Sequence, residues 1–174
     1  MNDLIILGLL FHGSKHGYQL KREAGFMLGH GDMHNNLVYP LLRRFTTAGW
    51  VTRKKVPGER GQTRQQYELT AKGRRELIRR LAEFSGDDVR SEAAFSTRVG
   101  MFGLLEKDTR AQILRKREAY LHEREERLTT LKTNVEVGTY GAEAIGFLRE
   151  RIRSEIAWIK RLEGMLRRHG NRGR

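Results

Sequence analysis

Pro40 is the residue that most constrains this chain. It lacks a backbone N–H, so a helix tolerates it only near its start, where amides have no intrahelical partner in any case. Around it Leu37, Val38, Leu41, Leu42, Phe45 and Ala48 recur at three-to-four spacing, the signature of a helix with one buried face. The helix is therefore expected to begin near Asn36 or Leu37, with Asn36 as its cap, and to stop at Gly49. Asn35, Tyr39, Arg43, Thr46 and Thr47 fall away from the apolar stripe. Past Gly49 the pattern changes. Trp50-Val51-Thr52 and Gln66-Tyr67-Glu68-Leu69 suit short strands, and Pro57-Gly58 with Gly61 suit a turn between them. Thr70 is placed to cap another helix, with Leu77, Ile78, Leu81 and Phe84 inward and Arg74, Arg75, Arg79 and Arg80 mostly outward.

Two helices are expected before this segment. The first runs from Leu4 to about His12, capped by Asn2 or Asp3 and ended by Gly13-Ser14. Its apolar residues are nearly continuous, so it should be buried on most sides. The second runs from His16 to about Leu28, with Tyr18, Leu20, Ala24, Met27 and Leu28 inward. Gly29-His30-Gly31-Asp32 reads as a loop. Three helices, a hairpin and a further helix outline a winged helix-turn-helix domain over residues 1–86.

The second half is helical. Ser85–Ser91 is small and polar and marks the domain boundary; an apolar segment follows from Phe95 to Leu105. Thr109 with Gln112 has the form of a capping box. Leu114, Leu121, Leu128 and Val135 then stand seven apart, with Arg117 and Arg124 between them. Gly138 and Gly141 mark a turn. In the last helix Ile145, Ile152, Ile159 and Leu166 form one heptad position and Leu148, Glu155 and Leu162 another, broken only by Glu155. Residues 92–168 are therefore expected to form an antiparallel two-helix domain whose seams pair two chains. Leu114, Leu121, Leu128, Ile145, Ile152, Ile159 and Leu166 are the candidate dimerisation residues. Residues 169–174 are expected to fray. The fold class is mainly α with a small β-hairpin wing: a winged helix-turn-helix plus a C-terminal helical dimerisation domain.

Charge points to a partner. Between Arg43 and Arg80 twelve Lys/Arg face three acids, nine of the chain's thirteen net positive charges. An excess this local suggests an anionic partner, most simply double-stranded DNA. Asn35 and Asn36 are the candidate base readers, Tyr39 stands with them with its hydroxyl in reach of a phosphate, and Arg43, Lys54, Lys55, Arg60 and Arg64, beside Arg53, are the candidate phosphate grips. An ordinary solvated face and a solvated charged turn are the plainer readings of the same residues.

Other chemistries find little support. There is no cysteine, which excludes disulfides and thiolate sites and fits a cytoplasmic protein. The apolar run LIILGLLF lacks a preceding basic region and is too short to span a bilayer, so neither a signal peptide nor a membrane anchor is expected. His12, His16, His30 and His34 invite a metal, but no second cluster completes a ligand set and no metal site is assigned. No phosphate-cradling loop, nucleophile elbow or convergent carboxylate pair is visible, so no enzyme and no cofactor are expected. Trp158, beside the Ile152/Ile159 seam, is a candidate lining residue for a small apolar effector pocket; a packing aromatic is the plainer reading.

The chain resembles the PadR family of transcriptional regulators, of the type with a long two-helix, virulence-activator-like C-terminal domain. The resemblance rests on Ile6-Leu7-Gly8-Leu9-Leu10, Gly13, His16-Gly17-Tyr18-Gln19-Leu20, Val38-Tyr39-Pro40 with Leu42, Gly49, Val51, Gly61, Arg64, Tyr67, Leu69-Thr70 and Gly73-Arg74. It continues in outline from Phe95 through Ala157-Trp158-Ile159. It implies a homodimer that binds operator DNA, most often as a repressor, with release by a small-molecule effector in many members. Ser14, Asn36-Leu37 and Gln62, Thr63 and Gln65 depart from the family pattern. An activator of the same family, a metal or ligand sensor, and a helical adaptor without specific DNA binding are the alternatives.

Overall fold

The computed structural model describes residues 1–27, 32–57, 63–134 and 138–170. They divide into two compact units, Met1–Phe84 with Glu92–Leu104, and Ser85–Ser91 with Leu105–Arg174. Residues 28–31, 58–62, 135–137 and 171–174 lie outside the described set, and with them His30, the turn glycines Gly58 and Gly61, Arg60, Gln62 and Val135.

The first unit is built on α1 (Asn2–Phe11). Leu4, Ile5, Ile6, Leu7 and Leu10 are buried, as its unbroken apolar run dictates. Neither Asn2 nor Asp3 caps it; Met1 stands at the cap, and Asp3 turns instead to two arginines, described below. A two-residue strand β1 (Lys15–His16) leads into α2 (Gly17–Met27). Gln19 Oε1 accepts from the His16 N–H at 2.9 Å, half of a capping box that satisfies an amide at the helix entry. Gly17, Leu20 and Ala24 form the buried row, while Tyr18 and Met27, expected inward, are 62% and 50% exposed. Tyr18 falls off the row because it is two residues from Leu20, about 200° around the helix.

Helix α3 spans Asn35–Thr47, one residue earlier than the proline argument allowed. His34 holds the cap position, and Asn36 lies inside the helix. Pro40 withholds the bond that the Asn36 carbonyl would accept, and Asn36 is exposed, so water can take its place. Val38, Leu42 and Phe45 are buried; Leu37, expected with them, is 44% exposed. Gly49 ends the helix with φ +72°, and the Trp50 N–H reaches back to the Phe45 carbonyl at 2.9 Å, a Schellman closure.

Strands β2 (Val51–Pro57) and β3 (Thr63–Leu69) are longer than their apolar residues suggested. The antiparallel sheet has the order β1-β3-β2, with Lys15 and Arg53 flanking Tyr67 on either side. Directly paired residues share a face. Val51, Arg53, Lys55, Gln65, Tyr67 and Leu69 therefore lie on the core-side face, and Thr52, Lys54, Val56, Arg64, Gln66 and Glu68 on the other.

Thr70 caps α4 (Ala71–Ala82) as expected, its hydroxyl accepting from the Gly73 N–H at 3.0 Å. Leu77, Leu81 and Phe84 are buried. Glu76 receives Arg79 and Arg80 at 2.6–2.8 Å, and these guanidiniums, Arg79 foremost, hold its carboxyl down at about 2. A carboxylate whose folded pKa is depressed stabilises the fold above its unfolded value of 4.5 and loses that contribution as pH falls through 2. Glu76→Gln is expected to cost about 1 kcal/mol at neutral pH, because the partners are half solvated. The deficit should shrink below pH 4.5 and vanish near 2 in urea melts run across that range. A deficit constant with pH would remove the ion pairs as its cause.

Glu92–Leu104, expected in the second domain, belongs to the first unit. It forms α6 (Glu92–Gly100) and a 3-10 turn at Phe102–Leu104. Phe95 meets Phe84 at 6.2 Å between centroids. Arg98, only 1% exposed, donates to the carbonyls of Leu81, Glu83 and Ala94 at 2.8–3.2 Å and lies over the Phe84 ring. Two of those carbonyls close the end of α4, where a cation is favoured.

The second unit opens with the short helix α5 (Asp87–Arg90) and then the pair α7 (Lys107–Asn134) and α8 (Thr139–Gly170). α7 starts two residues before Thr109, so Thr109 is inside the helix rather than its cap; Gly141 likewise lies in the first turn of α8. Leu114, Leu121, Ile152 and Ile159 are 0–3% exposed within the single chain. Arg117, 1% exposed, makes a bidentate pair with Glu155 at 2.7 and 2.9 Å and donates to the Val89 carbonyl at 2.7 Å. Lys160–Glu118 and Arg153–Glu125, both 2.6 Å, tie the same two helices together. No described helix is long and apolar enough to cross a membrane.

Candidate nucleic-acid interface

Asn35, Asn36, Tyr39 and Arg43 are all exposed on α3. Asn35, Tyr39 and Arg43 are spaced four apart and so form one row along the helix, about a quarter turn round from the Val38/Leu42/Phe45 stripe. Exposed amides at the leading end of a helix are the groups that read adenine edges in a major groove. Tyr39 is 40% exposed and also structural. Its ring lies against Gly17, where a Cβ would meet Tyr39 Cε1 at 2.9 Å and the hydroxyl at 3.2 Å. The His-Gly-Tyr block is thereby accounted for in part: glycine clears the space that this tyrosine fills. His16, before it, bonds through Nδ1 to the Gln65 carbonyl of the wing at 3.3 Å.

The hairpin supplies the cations, but not evenly. Lys54 pairs with Glu68 at 3.2 Å and shares the outer face with Arg64. Lys55 and Arg53 lie on the other face, in line with Tyr67. Tyr67 is 6% exposed. Burial raises its phenol above the ordinary value, the neighbouring Arg53 guanidinium pulls it back, and Tyr39 stands close enough to raise it further. Arg60 lies outside the described residues.

Several charges counted in the basic stretch are already engaged. Asp3 takes Arg44 at 2.5 Å and Arg80 at 2.6 Å, Glu76 takes Arg79 and Arg80, and Arg79 also reaches Glu83. Lys72 donates to the Ala48 carbonyl at 2.9 Å, and Arg74 lies 4.9 Å over the Phe11 ring. Among the described residues, Arg43, Arg53, Arg64, Lys55 and Arg75 are exposed too. Sequence counting missed the engaged charges, because Asp3 is forty residues or more from either arginine it holds.

Among the described residues no three His, Cys, Asp or Glu side chains come together as metal ligands. Trp158 is half-buried on α8. An apolar cavity of about 120 Å³ lies elsewhere, in the first unit, among Ile5, Gly8, Leu9, Met27 and Met101, with His12 at its edge.

Helices α1–α4, a three-stranded sheet and a cationic hairpin beside an exposed helix face define a winged helix-turn-helix domain. Residues 6–79 match the model of the transcriptional regulator PadR-like family. Its members are regulators, not enzymes. A comparison with curated proteins gives no match. Among solved structures the chain is similar to Bacillus subtilis PadR in complex with operator DNA, at 19% identity over 94% of this chain and 98% of that one, TM-score 0.45. The same protein in complex with p-coumaric acid gives 18% identity over 94% and 97%, TM-score 0.40. A transcriptional regulator from Clostridium thermocellum gives 23% over 45% and 76%, TM-score 0.41.

Proposed function

We propose that the chain binds operator DNA as a homodimer, sets α3 in the major groove and grips the backbone with the β2–β3 hairpin, and acts as a repressor that a small molecule releases. The observation that carries this is the adjacency, within a PadR-like domain, of an exposed Asn/Tyr/Arg row on α3 and a cationic hairpin. A two-fold dimer offers two reader helices to a two-fold site. Leu114, Leu121, Ile152 and Ile159 have no surface left to give a partner, so the pairing surface falls to what α7 and α8 leave open. That surface includes Leu128, Ile145 and Leu166, which are half-buried, and Phe147 and Met165, which are 58% and 48% exposed. The effector would sit beside Trp158, half-buried on α8, or in the pocket of about 120 Å³ in the first unit.

The test is a salt titration on fragments selected from the source genome. A protein that neutralises six or more phosphates loses roughly 10³ or more in affinity between about 50 and 200 mM salt. A flat titration would sink the DNA-binding reading. Rebinding the fragments in the presence of candidate small molecules then separates an effector-released repressor from a regulator without one.

A further inference from the structure

The wing carries three consecutive cations, Arg53, Lys54 and Lys55, and the sheet does not treat them alike. Lys54 points to the outer face and is matched by Glu68. Arg53 stands directly across from Tyr67, on the face that looks toward the core and α3. Tyr67 is in the central strand, so its backbone is held on both sides, by β1 and by β2. Tyr39 of the reader helix, seated in the space that Gly17 leaves, is near enough to Tyr67 to act on it electrostatically. A phenol with 6% of its surface exposed is a fixed support, whereas a lysine stem in water is not.

We propose that Tyr67 is a positioning residue for DNA binding: it holds the Arg53 guanidinium on the reader side of the wing, and makes Arg53 the wing's principal grip on a backbone phosphate. A planar guanidinium held in place binds phosphate with two parallel donors and forfeits little side-chain freedom on doing so. Lys54 contributes less, because a phosphate must first displace Glu68. The inference rests on the DNA-binding reading above.

The test uses the full chain and a labelled mixed-sequence duplex, so that the sequence-independent contacts are measured. Arg53→Ala is expected to lower affinity about tenfold and to reduce the slope of log affinity against log salt by about 0.9, one phosphate contact. Tyr67→Phe keeps the ring and removes the hydroxyl. It is expected to lower affinity several-fold in the wild-type background and to have no further effect in the Arg53→Ala background. A merely structural tyrosine would lower affinity by the same factor in both backgrounds. Independent effects in that double variant, or an unchanged slope for Arg53→Ala, overturn the proposal while leaving DNA binding intact. A wild-type protein with no salt dependence overturns the DNA-binding reading and this inference together.

Discussion

Gly73→Ala is expected to cost about 3 kcal/mol or more of folding stability, measured by urea or thermal unfolding. Alanine is ordinarily the better helix former, and Gly73 lies in the first turn of α4, so propensity alone predicts a gain of up to about 1 kcal/mol. Contact geometry decides the other way. A Cβ at Gly73 would stand 2.1 Å from the Trp50 carbonyl oxygen and 2.8 Å from Leu69 Cδ1. The oxygen belongs to backbone that also receives the Thr70 N–H at 2.9 Å, so it cannot swing aside without opening the junction between the sheet and α4. Gly100→Ala is the matched control. It makes the same chemical change at the end of α6, where a Cβ meets nothing within 4 Å, and is expected to be neutral or slightly stabilising. Equal effects at the two sites would mean that the close approach at Trp50 is not what holds the glycine.

Arg117→Met is expected to cost about 3–5 kcal/mol, because it leaves the Glu155 carboxylate, 13% exposed, without its bidentate partner. It also strips the Val89 carbonyl of its donor. The double change Arg117→Met with Glu155→Met should recover most of that loss, since well-packed apolar residues often replace a buried ion pair at little net cost. The pair's contribution is then register. A carboxylate at one level of α8 and a guanidinium at one level of α7 admit a single alignment, whereas leucine and isoleucine seams slide by a heptad at small cost. The double variant is accordingly expected to keep its melting temperature and to lose uniqueness, seen as broadened or duplicated amide resonances. An Arg117→Met variant within about 1 kcal/mol of wild type would show that the pair is not desolvated in solution.

The same pair shows what the sequence could and could not disclose. Taken one helix at a time, Arg117 narrows the stripe of α7 and Glu155 breaks the heptad of α8. They cancel only once the antiparallel alignment is known, and heptad spacing does not contain it. The burial of α1, the Thr70 cap, the glycine stop at Gly49 and the Val38/Leu42/Phe45 stripe were legible, because each is a local pattern with a local cause. β1 was not, since two residues carry no periodicity and their partners are fifty positions away. β2 and β3 were underestimated for a different reason. Arg53-Lys54-Lys55 and Arg64-Gln65-Gln66 show no apolar alternation, and backbone pairing holds them in the ladder. In the candidate interface the exposure of Asn35, Asn36, Tyr39 and Arg43 was readable from α3. The sorting of the wing cations was not, because it depends on which face of the sheet each one takes and which acid lies near it.

The strand order β1-β3-β2 has a consequence for solubility. β3 is paired on both sides, whereas β2 borders the sheet with one row of N–H and C=O groups unpaired by any described strand. Such an edge is a template on which another chain's strand can grow. Here it carries Arg53, Lys54 and Lys55 in succession and ends in Pro57, which has no N–H to offer. Two copies brought edge to edge would face like charges along most of their length. The cations proposed to grip DNA are therefore also what keeps one molecule's wing from zipping onto another's, and neutralising several of them at once removes that protection. Single substitutions keep the edge charged, and a variant that clears all three is expected to self-associate as it loses its hold on the duplex.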